Sequence, residues 1–306
     1  MSWLTFWRRK SATGATPSPR AAREAPGAHG AEAHTVGGRR YVAGVPYILP
    51  KDLDETNRLD FQQHMLRAFI GGNYLASIGA PRDILDVGCG TGRWAMEMAT
   101  EFPSANVIGV DVAPPAVVEG APANPTADNY TFVQGNVLER LPFADNSFDF
   151  VHQRYLILAI PANRWPQVVA ELRRVTRPGG WVELIETETP AGAPALDQLA
   201  AWGKQLLSRR GIDMAMARQI GPLLAAGGAT QVSARPLTIP VGKPGGRIGA
   251  MMVVDYLSAL TAVRGPLAAL GIVSEATFDE TMARCRDELE RRAFPQNVYV
   301  AYGRKP

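Results

Sequence analysis

The sequence predicts a doubly wound α/β fold with a mostly parallel seven-stranded sheet and an antiparallel last strand. Three observations predict it. Apolar segments of strand length alternate with helical segments, a glycine-rich loop joins the first such strand to a helix, and 46% of the 306 residues are hydrophobic, enough for a large core. We expect one domain over residues 41–306, because this fold class often reaches such a length as a single domain.

The predicted elements justify this class in order. A helix over 54–70 ends at Gly71-Gly72 and precedes the sheet. Strand and helix then alternate, which favours parallel pairing, with helices on both faces. Past Pro190 the pattern turns largely helical up to residue 292. The predicted strands are 83–87, 106–112, 130–134, 148–152, 181–185, 230–241 and 297–302, and the helices between the first five strands include 93–101 and 165–175.

Residues 1–40 differ from the rest in charge and composition. They carry seven Lys/Arg against two Asp/Glu, whereas the remainder carries 25 against 27. Residues 11–38 are mostly small or polar and bury too little to offset their ordering entropy, so we expect a disordered basic tail and linker. Aromatic and basic residues are adjacent in sequence within residues 1–10. One interpretation of this pattern is weak peripheral membrane contact, and the other is a disordered end.

Composition argues against several classes of protein. The nearly neutral body lacks the basic surface that nucleic-acid binding usually needs. Cys89 and Cys285 are the only cysteines, which argues against a disulfide scaffold and a cysteine-based zinc cluster. No apolar run approaches the roughly 18 residues of a membrane-spanning helix, and residues 1–10 lack the apolar stretch of a secretion signal. We therefore expect a cytoplasmic protein and predict no metal site.

The strand that contains Ile84-Leu85-Asp86-Val87 runs directly into the loop Gly88-Cys89-Gly90-Thr91-Gly92. Glycine at every second position lets backbone approach a ligand, and the helix that follows adds free N–H groups at its N-terminus. The spacing differs from the G-x-G-x-x-G fingerprint of dinucleotide sites. A tight turn is the alternative interpretation of this loop alone.

Together with later motifs, the loop resembles that of the class I S-adenosylmethionine-dependent methyltransferases, which have a Rossmann-like fold. The matching segments are Asp111 at the end of the second strand, Gly135-Asn136-Val137 after the third, Leu141-Pro142-Phe143, Ser147-Phe148-Asp149-Phe150-Val151 and Arg177-Pro178-Gly179-Gly180. The resemblance implies that S-adenosyl-L-methionine is the cofactor, that Asp111 accepts its ribose hydroxyls and that Asp86 faces its ammonium group. Asn136 replaces the usual adenine-binding aspartate, but its carboxamide oxygen can still accept a hydrogen bond.

These matches give a set of expected cofactor contacts within a cofactor-binding core over residues 82–187. For Val112 and Val137, a place in the hydrophobic core is an equally good interpretation. Cys89 can be interpreted as a small residue that fills space in the loop. Asp86 could also cap the helix. The expected contacts are Asp86, Gly88, Cys89, Gly90, Gly92, Asp111, Val112, Asn136, Val137 and Gln153.

The candidate catalytic residues are His152, His64 and Arg154. Histidine is the side chain best suited to take a proton near neutral pH, and residues at the end of the fourth strand project into the ligand crevice. Each of these residues also has a structural interpretation. Either histidine can be a hydrogen-bonded structural residue, and Arg154 can form an ion pair with Asp60.

A narrower resemblance concerns methyltransferase-domain proteins related to fungal regulators of secondary metabolism. It rests mainly on Tyr47-Ile48-Leu49-Pro50, Arg58-Leu59-Asp60 and Val151-His152-Gln153-Arg154. The family resemblance implies methyl transfer to an O, N or C atom of a small-molecule acceptor, and the narrower one leaves open an S-adenosylmethionine-binding regulatory protein that acts through partner contacts. The run after the fourth strand is not the Asn/Asp-Pro-Pro-aromatic motif of enzymes that methylate adenine or glutamine nitrogens. The oligomeric state is not predicted.

The acceptor site is expected under the helices. Alignment of donor and nucleophile carries most of the barrier reduction in methyl transfer, so no acid/base pair need stand out. The helix over 54–70 and the largely helical region 190–292 are the expected lid and walls. Candidate apolar lining residues are Trp202, Met251, Met252, Tyr256 and Leu257, although most apolar residues at helical spacing belong to the core.

Overall fold

The computed structural model describes residues 33–36, 39–42, 46–50, 52–114 and 127–306. Expectations for residues 1–32, the aromatic and basic N-terminus included, lie outside the described residues. The strands are β1 (Ala33–Val36), β2 (Arg39–Val42), β3 (Asp83–Val87), β4 (Asn106–Asp111), β5 (Tyr130–Gln134), β6 (Phe148–Arg154), β7 (Thr176–Thr187), β8 (Thr230–Val241) and β9 (Phe294–Arg304). The α-helices are α1 (Leu53–Ile70), α2 (Arg93–Glu101), α3 (Trp165–Val175), α4 (Pro194–Ser208), α5 (Ile220–Ala226), α6 (Gly246–Ala269) and α7 (Glu275–Arg291).

The main sheet has seven strands in the order β5-β4-β3-β6-β7-β9-β8. Strands β3 to β7 pair in parallel, whereas β9, the last in the chain, runs antiparallel between β7 and β8. This arrangement confirms the predicted fold class. Because the parallel strands end at one edge, the loops after β3, β4, β5 and β6 meet there, where doubly wound folds bind ligands.

Helices cover both faces of the parallel strands. All five residues of β3 are buried, as expected for a strand between two layers. Ile84 packs in a cluster with Trp94 of α2, whereas its neighbour Leu85 packs in another with Trp165 of α3. This alternation fixes which side chains of β3 and β6 can reach each layer.

Helix α1 begins one residue before its predicted start and ends where the sequence predicts. The Asp52 side chain accepts a hydrogen bond from the Glu55 backbone N–H, and Gly71 closes the helix in the left-handed conformation at φ +85°. The helix contacts α2 and α6. It therefore crosses the edge of the sheet where the loops converge.

Three predicted strands are longer than expected, and the last of them, β9, runs over Phe294–Arg304 instead of 297–302. Strand β6 continues to Arg154 instead of ending at His152, because Gln153 and Arg154 keep pairing with Leu184 and Ile185. Strand β7 begins at Thr176 and passes through the predicted turn with a register shift between Phe148 and Phe150, so the turn forms an irregularity inside the strand.

A two-stranded antiparallel hairpin, β1 and β2, occupies part of the segment expected to be disordered up to residue 40. The Tyr41 hydroxyl donates to the Ala262 carbonyl at 2.8 Å, and Arg39 pairs with Asp52. These contacts lie outside the hairpin, so local composition could not reveal them. The expectation of disorder is wrong for residues 33–36 and 39–40.

Helix α6, with the turn before it, is long and apolar enough to cross a membrane by length and composition. The expectation that no segment meets this criterion is therefore wrong. The same helix contacts α1, α4 and α7, and its central Asp255 forms a buried ion pair with Arg58 of α1. In this structure α6 is a packed helix of the domain.

Candidate active site

A cavity of about 140 Å³ opens at the edge where the parallel strands end. Residues from β3, β4 and β6, from the loops that follow β3 to β6, and from α1 surround it. The sequence therefore brings the predicted motifs together through parallel strand pairing. The predicted residues in its wall are Asp86, Gly88, Cys89, Gly90, Asp111, Val112, Asn136, Val137, His152 and Arg154.

The glycine loop needs glycine for two reasons. Gly88 and Gly90 adopt φ +71° and +56°, in the left-handed region. A Cβ on Gly88 would lie 2.4 Å from Leu156 Cδ2, whereas a Cβ on Gly90 would meet only Leu59 Cδ1, at 3.4 Å. The loop is thus closely packed at Gly88 and open at Gly90, where backbone faces the cavity.

Gly92 does not line the cavity, contrary to the sequence prediction. It is the N-cap of α2 at φ +76°, and a Cβ there would lie 2.4 Å from the Tyr130 hydroxyl. Its glycine is explained by close packing between α2 and β5 and by the cap conformation.

Asp111 stands at the end of β4 with its carboxylate over the loop. Its Oδ2 accepts from the Gly90 N–H at 3.0 Å, and its Oδ1 accepts from the Ala113 N–H at 3.2 Å. A carboxylate oxygen has more than one lone pair, so both oxygens can accept further hydrogen bonds from a diol.

Asn136 follows β5 on the far side of the cavity from β6. Its Oδ1 accepts from the Leu138 N–H at 3.0 Å, and its Nδ2 donates to Glu139 at 3.3 Å. These contacts fix the carboxamide and leave the oxygen a second lone pair. Val112 and Val137 line the cavity beside it.

Asp86 and His152 form a buried pair in the cavity wall. The strand register places them side by side, and Asp86 Oδ1 lies 3.3 Å from His152 Nδ1. The imidazole is 1% exposed and stacks on Trp94 with ring centroids 3.9 Å apart. Burial lowers the pKa of His152, against the opposing effect of Asp86, so the neutral ring orients the carboxylate.

Arg154 lies two residues along β6 from His152 and lines the same cavity. Its Nη2 donates to Gln63 Oε1 at 2.5 Å. Gln63 Nε2 in turn donates to Asn73 and Glu97, which sets the orientation of the amide. The alternative pairing of Arg154 with Asp60 is wrong, because Asp60 accepts from the Thr91 hydroxyl.

Two further predicted residues lie outside the cavity. Gln153 is fully buried and points to the opposite face of β6, because side chains alternate along a strand. His64 is exposed on α1 and lines neither cavity described here. The structure thus gives no support to a cofactor contact by Gln153 or a catalytic role for His64.

Two buried glutamates of β7 hold loops around the site. Glu183 accepts from the Leu75 and Ala76 N–H groups, and Glu186 accepts from those of Leu156 and Ile157. Burial raises the pKa of Glu183 to about 7 and of Glu186 to about 8, despite these hydrogen bonds. The loop after β6 therefore depends on a carboxyl group that titrates near neutral pH.

A second cavity, of about 1130 Å³, adjoins the first. The two share Tyr47, Leu59, Gln62 and Tyr155. Residues of α4, α6 and the segment 187–191 form much of its remaining wall. Of the candidate apolar residues, Met252 and Tyr256 line this cavity, whereas Trp202, Met251 and Leu257 do not.

A buried charge network fixes α1 against α6 at the wall of this larger cavity. Arg58 donates to Glu55 at 2.6 and 2.8 Å and to Asp255 at 2.7 Å. Gln62 donates to the same Asp255 carboxylate at 3.0 Å. Burial alone would lower the pKa of Arg58, but these carboxylates raise it, so the guanidinium stays charged.

Sequence reasoning missed Tyr155, Gln63 and Trp94. Tyr155 stands at φ +54°, an uncommon conformation for a bulky residue, and lines both cavities. Gln63 and Trp94 act on residues distant in sequence, so no local signal marked them. Within the described residues, no group of three or more His, Cys, Asp or Glu could hold a metal ion.

Comparison with known proteins identifies the domain. Residues 84–180 match the family model described as a methyltransferase domain. Methyltransferase str3 of Strobilurus tenacellus is 36% identical over 46% of this chain, and the chain spans about half (48%) of that relative's length. Methyltransferase str2 of the same fungus is 28% identical over 78% of this chain and 90% of its own length.

A third relative also matches over most of its length. N-methyltransferase sirN of Leptosphaeria maculans is 27% identical over 85% of this chain and 95% of its own length. These matches include the strands and loops that build the cavity. The chain therefore contains a methyltransferase domain and is similar over most of its length to named methyltransferases, which supports the predicted class of S-adenosylmethionine-dependent methyltransferases.

Proposed function

We propose that this chain transfers a methyl group to an O, N or C nucleophile of a small, partly apolar molecule held in the larger cavity. The observation that carries the proposal is the junction of two cavities. The smaller one collects the predicted cofactor residues at the strand ends, and the larger one begins at Tyr47, Leu59, Gln62 and Tyr155.

The described residues fit the cofactor. Asn136, Asp111, the glycine loop and Arg154 follow the ends of β5, β4, β3 and β6, which are consecutive neighbours in the sheet. Neighbouring strands lie about 4.8 Å apart, so these groups span roughly 14 Å, enough for an extended nucleoside with an amino-acid tail. We assign the adenine to the Asn136 side, the ribose to Asp111 and the methionine part to Asp86.

The bound cofactor would supply an electrophilic methyl group on a sulfonium. Transfer would join the acceptor's lone pair to that methyl carbon and leave the electron pair of the carbon–sulfur bond on sulfur. The protein's work is to align the acceptor with that bond and to keep water out. Leu59 and the tyrosines of the junction suit this task.

Burial raises the pKa of Tyr47 and of Tyr155. Both hydroxyl groups therefore stay neutral. They line the cavity and can form hydrogen bonds to the acceptor, but they do not act as bases. His152 lies beside Asp86 in the wall of the smaller cavity. We assign it a positioning role, with the acceptor's proton released to solvent or to the acceptor's own basic group.

The experiment has two steps. Calorimetry with S-adenosylhomocysteine tests cofactor binding, and methyl-labelled cofactor incubated with metabolite extracts then tests transfer. We expect binding and a labelled product that the Asp111→Ala variant does not form. Absence of heat would refute the cofactor assignment, and binding without product across many extracts would refute the enzymatic proposal.

The alternative of a cofactor-binding regulatory protein gains no support from the relatives, which are named as methyltransferases. The fungal relatives favour a role in secondary metabolism as part of the same proposal. Their printed names give no acceptor for this chain.

A further inference from the structure

We infer that Arg154 binds the α-carboxylate of the cofactor's amino-acid end, while Asp86 binds its ammonium group. This inference rests on the proposed cofactor site and adds a contact that selects for the intact amino acid. It replaces the sequence-based idea that Arg154 takes part in the chemical step.

Arg154 lacks an ionic partner among the described residues. Two arginines line the described part of the smaller cavity, Arg93 and Arg154. Arg93 has a half-exposed side chain and pairs with Glu97 at 3.2 Å. Within the described residues, Arg154 has no carboxylate within 4.0 Å, and its one side-chain partner is the neutral amide of Gln63. A partly buried guanidinium in a cavity wall gains most from an anionic ligand.

Gln63 holds the Arg154 guanidinium in one orientation. Because Gln63 Nε2 donates to Asn73 and Glu97, its oxygen must face the arginine. One terminal nitrogen of the guanidinium is thereby anchored to α1. The planar group is fixed, and its other N–H donors have no protein acceptor among the described residues.

The strand register places Arg154 at a suitable distance from Asp86. Asp86 lies directly across from His152, and Arg154 lies two residues farther on the same face. Two residues of a strand span about 6.6 Å. An ammonium and a carboxylate on one carbon atom fit between side chains at that separation. The contact with His152 Nδ1 keeps the Asp86 carboxylate oriented.

The test compares two ligands that differ in one group. Calorimetry on the full chain uses S-adenosylhomocysteine and its decarboxylated analogue, in which hydrogen replaces the α-carboxylate. We expect the wild-type protein to prefer S-adenosylhomocysteine roughly tenfold to hundredfold, as for a charged hydrogen-bonded pair. Arg154→Gln should lose that preference while its affinity for the analogue stays within about twofold of wild type.

A matched control removes the same charge outside the cavity. Arg67 lies one turn from Gln63 on α1, is half exposed and pairs with Glu97. Arg67→Gln should keep the full preference for S-adenosylhomocysteine. Should Arg154→Gln fail to fold, Arg154→Lys keeps the charge without the planar fork and should show a reduced preference.

The outcomes separate the hypotheses. If Arg154 only anchors α1, its variants lose affinity for both ligands equally, and the inference is overturned. Equal affinity of the wild-type protein for both ligands also overturns it, without touching the cofactor assignment. If the wild type binds neither ligand, the proposed function fails, and this inference fails with it.

Discussion

Replacing Gly88 with alanine tests whether the loop after β3 is shaped by close packing. At φ +71° an alanine costs about 1–2 kcal/mol because its Cβ crowds the backbone. The added Cβ would also lie 2.4 Å from Leu156 Cδ2, so the leucine must move, which adds roughly 1–3 kcal/mol of overpacking. We expect Gly88→Ala to lower the free energy of unfolding by about 2–5 kcal/mol.

Gly90→Ala is the matched control. Its φ of +56° gives similar backbone strain, but the nearest atom to its Cβ, Leu59 Cδ1, lies at 3.4 Å. Urea unfolding of both variants therefore isolates the clash. A Gly88→Ala/Leu156→Ala double variant should be less destabilised than the sum of the two single variants, by about 1 kcal/mol or more. Equal losses for the two glycine variants, or additive losses in the double variant, would refute the packing argument.

Three further predictions concern charged groups. Asp111→Ala should weaken S-adenosylhomocysteine binding by about 3 kcal/mol or more but lower the free energy of unfolding by only about 1–2 kcal/mol, by calorimetry and urea unfolding, and equal losses would contradict a ribose role. Burial raises the folded-state pKa of Glu186 from 4.5 to about 8. The stabilisation that its protonated form gives to the folded state is therefore complete below pH 4.5 and lost as the pH rises through 8. Glu186→Gln should therefore flatten the decline in unfolding free energy between about pH 5 and pH 9, whereas an unchanged slope would exclude this group. Arg58→Met should cost about 3–5 kcal/mol in urea unfolding, more than Asp255→Asn, which leaves Arg58 paired with Glu55.

The cavity at the strand ends could be predicted because its signals are local. Asp86, Gly88 and Asp111 each stand at a fixed distance from the end of an apolar strand. Parallel pairing then brings strand ends together without further information. The predicted bounds of β3 match the structure, and those of α1 differ by one residue.

The wrong predictions have a different physical origin. The sequence predicts Gln153 in the cavity because it predicts that β6 ends at His152. In the structure β6 continues for two more paired residues, which places the Gln153 side chain on the opposite face of the sheet. Gly92 was included by spacing, although contact with Tyr130 explains its glycine. The hairpin before α1 depends on Ala262, which is 221 residues from Tyr41. Such contacts leave no periodic pattern in the sequence.

The same contrast bears on where acceptor specificity resides. The groups proposed to hold the cofactor stand on strands whose positions are fixed by the sheet, whereas the larger cavity lies between α1, α4 and α6. The relative position of α1 and α6 depends on the Arg58–Asp255 ion pair, and a buried pair of this kind fixes geometry more than it adds stability. If the proposed function holds, a change of acceptor within this architecture requires new side chains on α4 and α6, and it can leave the strand ends, and with them the proposed cofactor contacts, unaltered.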